Sequence, residues 1–313
     1  MRLIFMGTPD FARENLSELH QSSHEVLAVV TAPDKPAGRG RKPRASAVKE
    51  YALRHNLPLY QPEKLRDPNF LSAMERFKPD VIIVVAFRML PQVLWSIPLR
   101  GTINLHASLL PDYRGAAPIN WAIINGEKVT GVTTFLINEA IDTGGILMQE
   151  AVPIKPDDDA GVLHDRLLER GKRLLLETLN KLDKGELEAQ PQKEQAAKHK
   201  APKIFKKDQK LNFERPAIEV HNLIRGMHPY PGAFCTLVDQ ERDLLLKINR
   251  SEVSDQPVEK NGAGRLRIEN GKLQVACADK WLIVLELQPA GKKRMTASAW
   301  LNGISLSDKA RFN

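Results

Sequence analysis

Val81-Ile-Ile-Val-Val-Ala-Phe87 is the longest apolar run in the chain, and it has the length of one buried strand. A run that is apolar at every position, with no polar alternation, belongs to a sheet covered on both faces, as parallel sheets are. Outward from it, apolar strand candidates alternate with helical patterns. Residues 3–6 and 26–30 read as strands, and 9–20, 47–55 and 71–77 as helices. Residues 102–105 follow a turn at Leu99-Arg100-Gly101, and two further strands, 132–137 and 146–152, flank Asp142-Thr-Gly-Gly145. This alternation predicts an α/β fold with a Rossmann-like, mostly parallel sheet. A long amphipathic helix over 160–182 follows, with Val162, Leu163, Leu167, Leu168, Leu174, Leu175 and Leu179 near helical period.

The pattern then disappears. Residues 190–210 hold seven lysines against Glu194 and Asp208 and read as an extended basic linker. Beyond a helix near 217–225, short strand candidates at 235–238, 244–248, 266–268, 273–276 and 281–287 are punctuated by Gly, Asn and Asp. Their length and spacing predict a small, OB-like β-barrel. The expected organisation is a catalytic domain over 1–189, a linker over 190–210 and a C-terminal barrel domain over 211–313.

Charge is divided unevenly along the chain. The net charge is +8, yet residues 1–189 hold 24 Lys+Arg and 24 Asp+Glu, leaving 22 basic and 14 acidic residues beyond them. A neutral first part followed by a basic second part suggests a catalytic unit joined to something that meets a polyanion. A basic surface kept for solubility is the plainer alternative. Cys235 and Cys277 are far apart, which points to neither a disulfide framework nor a zinc site. No stretch approaches the ~18 consecutive apolar residues of a membrane span, and the start lacks a signal-peptide pattern. Cytoplasm is the expected compartment, with no membrane partner.

The candidate chemical centre lies after the strand at 102–105. Asn104 and His106 are two residues apart at a strand end, so both side chains point to one face. In open parallel sheets, ligands bind outside the carboxyl ends of the strands. An amide donor beside an imidazole suits acyl transfer: the amide steadies a developing oxyanion while the imidazole moves protons. Ser108-Leu-Leu-Pro-Asp-Tyr-Arg-Gly115 makes a shaped loop directly downstream. Asp142 supplies a carboxylate on another loop, and an aspartate near an imidazole can orient its tautomer. Spacing alone leaves open whether Asp142 reaches His106 or is a turn residue before two glycines.

Asn104-Leu-His106, Ser108-Leu-Leu-Pro111, Tyr113-Arg-Gly115 and Asp142-Thr-Gly144 together resemble the folate-dependent formyltransferases. Met6-Gly-Thr-Pro-Asp-Phe-Ala12, Pro33-Asp-Lys-Pro-Ala-Gly-Arg-Gly40 and Leu287-Gln-Pro-Ala-Gly-Lys-Lys-Arg-Met295 extend the resemblance over most of the chain. It narrows to members that act on a methionyl initiator tRNA. The resemblance implies that Asn104 binds the formyl oxygen, that His106 shuttles a proton and that Asp142 holds His106. The implied donor is 10-formyltetrahydrofolate, with Ser108, Leu109, Leu110 and Pro111 contacting it and Arg88, Met89 and Leu90 lining its pterin pocket. Formyl transfer between nitrogens needs no redox step, and no metal is expected. The turn at Gly7 lacks the three glycines of a dinucleotide fingerprint.

Three basic regions point to RNA. Lys35, Arg39, Arg41, Lys42 and Arg44 form a loop with Gly38 and Gly40 as flexible points, and Lys203, Lys206 and Lys207 stand in the linker. Such segments can follow a phosphate backbone. The implied partner is methionyl-tRNA, met by a monomer. Two alternatives stay open: the same centre acting on a small amine or on water, and an RNA-binding module whose enzyme-like domain no longer catalyses.

Overall fold

The computed structural model describes residues 1–37, 42–193, 197–240, 242–259 and 262–313. The chain forms two compact units. The first comprises Met1–Gly115, Thr130–Val152 and Asp165–Lys200, and the second Ala116–Val129, Pro153–His164 and Ala201–Asn313. No helix among the described residues is long and apolar enough to cross a membrane.

The first unit is built on a seven-stranded sheet. Its strands are β1 (Arg2–Gly7), β2 (Glu25–Val30), β3 (Leu59–Tyr60), β4 (Val81–Val85), β5 (Thr102–His106), β6 (Val129–Leu136) and β7 (Ile146–Pro153), in the order β7-β6-β5-β4-β1-β2-β3. Neighbours from β5 through β4, β1 and β2 to β3 run parallel, and β6 pairs antiparallel with β5. All five residues of β4 are buried, as the unbroken apolar run requires of a strand covered on both faces. Ile4, Met6, Ile82 and Val84 share one core with Phe70, Met74 and Leu94. Burying such side chains contributes roughly 1.5–3 kcal/mol each, so this core dominates local stability.

Local signals explain the covering helices. Asp67 caps Pro68–Arg76 by accepting from the N–H groups of Asn69 and Phe70, and proline occupies the first turn, where no donor is needed. Ser46 caps Ala47–Arg54 by accepting from Lys49 N. The long helix Ala160–Asp183 buries Leu167, Leu174, Leu175 and Leu179. Val162, expected on the apolar stripe, is 48% exposed because it lies off that face. The two-residue β3, too short to show periodicity, went unread in the sequence.

In the second unit, β8 (Ala233–Asp239), β9 (Arg242–Pro257), β10 (Leu266–Glu269), β11 (Lys272–Ala276), β12 (Lys280–Pro289) and β13 (Arg311–Phe312) form a curled sheet in the order β10-β11-β12-β9-β8-β13. Phe312 N–H donates to Gly264 O at 2.8 Å and Leu266 N–H to Ala310 O at 3.3 Å, so the last strand returns to the first. This is the expected OB-like architecture. β9 runs far beyond the expected 244–248, since its second half is polar and bulged where it pairs with β12. The units also differ from a single cut near residue 189. Helix Pro118–Ile124 belongs to the second unit because it packs on Ala217–Met227, where Asn120 Nδ2 donates to Gly226 O at 2.7 Å.

Candidate active site

Asn104 and His106 end β5, on the same face as the Val84, Phe135 and Thr133 that pair with them. His106 is buried, and Asn104 is partly accessible. The Asn104 carboxamide makes no side-chain hydrogen bond within the described residues, which leaves its donors available to a ligand.

The His106 ring is fixed from two sides. Its Nε2 lies 2.9 Å from Tyr113 O, and a carbonyl can only accept, so Nε2 carries the proton and Nδ1 the lone pair of the neutral ring. Nδ1 faces Asp142 Oδ2 at 3.8 Å, an ion pair once the ring is charged. The Phe135 ring stands edge-on to the imidazole, with centroids 6.5 Å apart. Asp142 thus faces His106, while the ring donates its Nε2 hydrogen bond to the Tyr113 carbonyl.

Asp142 Oδ2 accepts the Gly115 N–H at 2.9 Å, which ties the two site loops together. Gly115 has φ +127°, a conformation a side chain would strain, and this accounts for the glycine after Tyr113-Arg114. Tyr113 at φ +60° turns its carbonyl toward His106. Gly144 is required by close approach, since a Cβ there would lie 1.6 Å from Leu136 O.

The loop of Ser108, Leu109, Leu110 and Pro111 is braced from within. Ser108 Oγ donates to Asp112 O at 2.6 Å, while Thr133 Oγ1 donates to Ser108 O and accepts from Leu110 N–H. Gln149 Nε2 donates to Leu110 O at 2.8 Å. Ser108 and Leu110 are buried, and Leu109 and Pro111 are partly accessible.

Arg88, Met89 and Leu90 line a cleft of about 600 Å³ together with Leu65, Trp95 and Glu139. Arg88 also borders a second cleft of about 430 Å³ with Thr8, Pro33, Asp34 and Phe87. Its guanidinium donates to the carbonyls of Pro62 and Glu63, its Nε is buried without a hydrogen-bond partner among the described residues, and burial lowers its pKa. Lys49 and Gln61 hold the Asp34 carboxyl below its ordinary value.

Of the basic candidates, Lys203, Lys206, Lys207 and Arg44 are exposed. Lys203 Nζ lies 5.8 Å from the ring of Phe205, itself 55% exposed. Strands Lys35–Ala37 and Lys42–Arg44 pair antiparallel. Arg39 and Arg41 lie outside the described residues, as do the side chains of Lys35 and Lys42. The sequence motif contained Tyr113 and Gly115 without showing their roles, and Thr133, Gln149 and Phe205 were not singled out. The first two act through backbone atoms, for which a sequence carries no side-chain signal. Phe205 stood among lysines as a visible aromatic.

A mostly parallel α/β sheet with an available amide and a fixed imidazole at one strand end is an arrangement suited to acyl transfer. The chain matches the formyl transferase family over residues 1–179 and the formyl transferase C-terminal domain over residues 203–305. It belongs to the formyl transferase family. It is 45% identical to a methionyl-tRNA formyltransferase of Flavobacterium johnsoniae, over 99% of this chain and 98% of that one. A methionyl-tRNA formyltransferase of Bacteroides fragilis is 46% identical, over 98% and 96% of the two chains. Among solved structures, an N-formyltransferase of Helicobacter canadensis in complex with folinic acid and dTDP-3-aminofucose shares the fold. Its TM-score is 0.66 at 20% identity, covering 94% of this chain and 99% of that one.

Proposed function

We propose that the chain transfers the formyl group of 10-formyltetrahydrofolate to the α-amine of methionyl-initiator-tRNA. The observation that carries this reading is the convergence of Asn104, His106 and Asp142, in a chain that matches relatives of that name over nearly its whole length.

When bound, the donor supplies a formyl carbonyl attached to nitrogen. The unpartnered Arg88 Nε and the apolar Leu65, Leu90 and Trp95 suit a flat heterocycle with polar edges, so Arg88, Met89 and Leu90 would hold it. The loop of Ser108 to Pro111 would form a further wall. Asn104 Nδ2 donates to the formyl oxygen as negative charge develops, a contribution of roughly 3–4 kcal/mol to the barrier. His106 keeps its Nε2 proton on Tyr113 O, so Nδ1 takes the proton of the attacking amine. Asp142 then faces a charged ring, and the same Nδ1 returns the proton to the departing nitrogen.

The exposed Lys203, Lys206, Lys207 and Arg44 suit the tRNA backbone, and Lys35, Arg39, Arg41 and Lys42 join them as basic candidates by residue type. The reading includes a cytoplasmic monomer, as a bacterial translation enzyme with relatives of the same length would be. The deciding experiment offers labelled formyl donor to methionyl-tRNA, glycinamide ribonucleotide and a nucleotide-sugar amine in parallel. Label entering only a small amine refutes the proposal.

A further inference from the structure

Gln192 sits in the stretch whose composition reads as a linker, yet its carboxamide is fully used. Both Nε2 protons are donated to backbone carbonyls of the Asp142 loop, to Asp142 O at 2.9 Å and Gly144 O at 2.8 Å. Its Oε1 accepts twice from Arg114, from Nε at 3.1 Å and Nη2 at 2.7 Å. This is the whole capacity of the group: two donated protons and an oxygen accepting on two sides. The segment is led there by an antiparallel bridge, in which Gln190 and Ile146 exchange N–H···O bonds of 2.8 Å each.

The two loops so joined are the ones that set the chemistry. Arg114 lies between Tyr113, whose carbonyl holds His106, and Gly115, whose N–H holds Asp142 Oδ2. Asp142 has φ +55°, a left-handed conformation that side chains adopt rarely and that its surroundings must hold. The bond from Gln192 to its carbonyl is such a hold. Asn at 192 would be one methylene too short. Glu would still accept from Arg114 but would turn a carboxylate oxygen toward the two carbonyls.

We propose that Gln192 is a positioning residue, clamping the Asp142 loop to Arg114 and thereby setting the place of the Asp142 carboxylate against His106. This inference rests on the catalytic reading of Asp142 and His106. Neither composition nor hydrophobic period marks it, since a half-buried glutamine between Pro191 and Lys193 looks like solvated chain.

The test is a double-mutant cycle of Gln192→Glu with Asp142→Asn in the full chain. Gln192→Glu should retain the Arg114 contact and a cooperative thermal transition, with a melting temperature lowered by the loss of the two donated bonds. Its kcat should fall roughly 10- to 100-fold, as misplacement by about 1 Å does, with KM for both substrates within about twofold. In the Asp142→Asn background the same change should cost less than about threefold, because the group it positions is gone. A Gln192→Glu enzyme with kcat within about twofold of wild type overturns the proposal, as does a loss that persists in full beside Asp142→Asn. If wild type formylates only a small amine, the acceptor reading fails, and the cycle run on that amine still decides the role of Gln192. A readout independent of turnover is the NMR spectrum of the His106 ring, assigned with His106→Ala. Its signals should move in Gln192→Glu, and unmoved signals count against the clamp.

Discussion

Oδ2 of Asp142 lies 3.8 Å from Nδ1 of His106 while accepting the Gly115 N–H at 2.9 Å. One oxygen therefore both faces the imidazole and fixes the neighbouring loop. Asp142→Asn separates these tasks, because an amide oxygen still accepts from Gly115 but carries no charge for a protonated ring. The expected result is a kcat lower by roughly 10²–10⁴-fold with an unchanged melting temperature. His106→Ala should abolish turnover yet leave tRNA retention on a gel nearly unchanged. Steady-state kinetics beside thermal melts check both, and wild-type turnover in either variant removes the assigned role.

Gly144 offers a test of the loop itself. A methyl group there would meet Leu136 O at 1.6 Å and Leu136 C at 2.8 Å, backbone atoms that no side-chain rotation can move aside. Gly144→Ala should therefore move Asp142 and lower unfolding free energy by about 3 kcal/mol or more, beyond ordinary overpacking. Urea midpoints with parallel activity measurements test this. A stable, fully active variant means that the loop relaxes at no cost.

The legible parts of the molecule were those written in side-chain period. Val81–Val85 declared a doubly covered strand, and the spacing of Asn104 and His106 put both on one face. The reach of Asp142 was not legible. Leu136 pairs with Ile103, three residues before His106, and only the fold of the loop beyond it returns the carboxylate to the ring. The bracing of Asp112 was hidden for a similar reason. Its Oδ1 accepts from Lys198 N–H at 2.6 Å and His199 N–H at 3.2 Å, and a lysine-rich run gives no sign of what its backbone binds. Helix Pro118–Ile124 was unread as well, because its seven residues cover only about two turns and too few positions to show an apolar stripe.

His221 ties the stability of the second unit to pH. Burial foremost, with Arg225 adding and Asp157 opposing, pulls its pKa from 6.5 down to about 4. Between those values the unfolded chain takes a proton that the folded one refuses, so stability is lost as pH falls from about 6.5 toward 4. The loss from this group should be on the order of 2 kcal/mol by pH 5. Urea midpoints at pH 7.5 and pH 5 for wild type and His221→Gln measure it. Equal pH dependence in the two proteins assigns the effect to other groups.

The two cysteines should be silent in the folded protein. Burial pushes the Cys277 thiol up to about 12, with Asp279 adding, and raises Cys235 further. Since thiolate is the reactive form, iodoacetamide at neutral pH should leave both unmodified until urea unfolds the chain, as intact mass would show. Rapid native labelling of either thiol contradicts their burial.

Lys203, Lys206 and Lys207 flank an exposed aromatic, Phe205, along the chain, and the two kinds of residue predict different behaviour toward tRNA. A lysine on a phosphate releases counterions, so each Lys→Ala change at a true contact should reduce the slope of log affinity against log salt by about 0.7–0.9. Phe205 carries no charge. If it stacks on a base, Phe205→Ala should weaken binding by about tenfold while leaving the salt slope unchanged. Filter binding of methionyl-tRNA across a salt series separates the two. Slopes that ignore all three lysines would return this patch to ordinary solvated surface. A salt-dependent loss at Phe205 would show that its effect passes through Lys203, whose Nζ lies 5.8 Å from its ring.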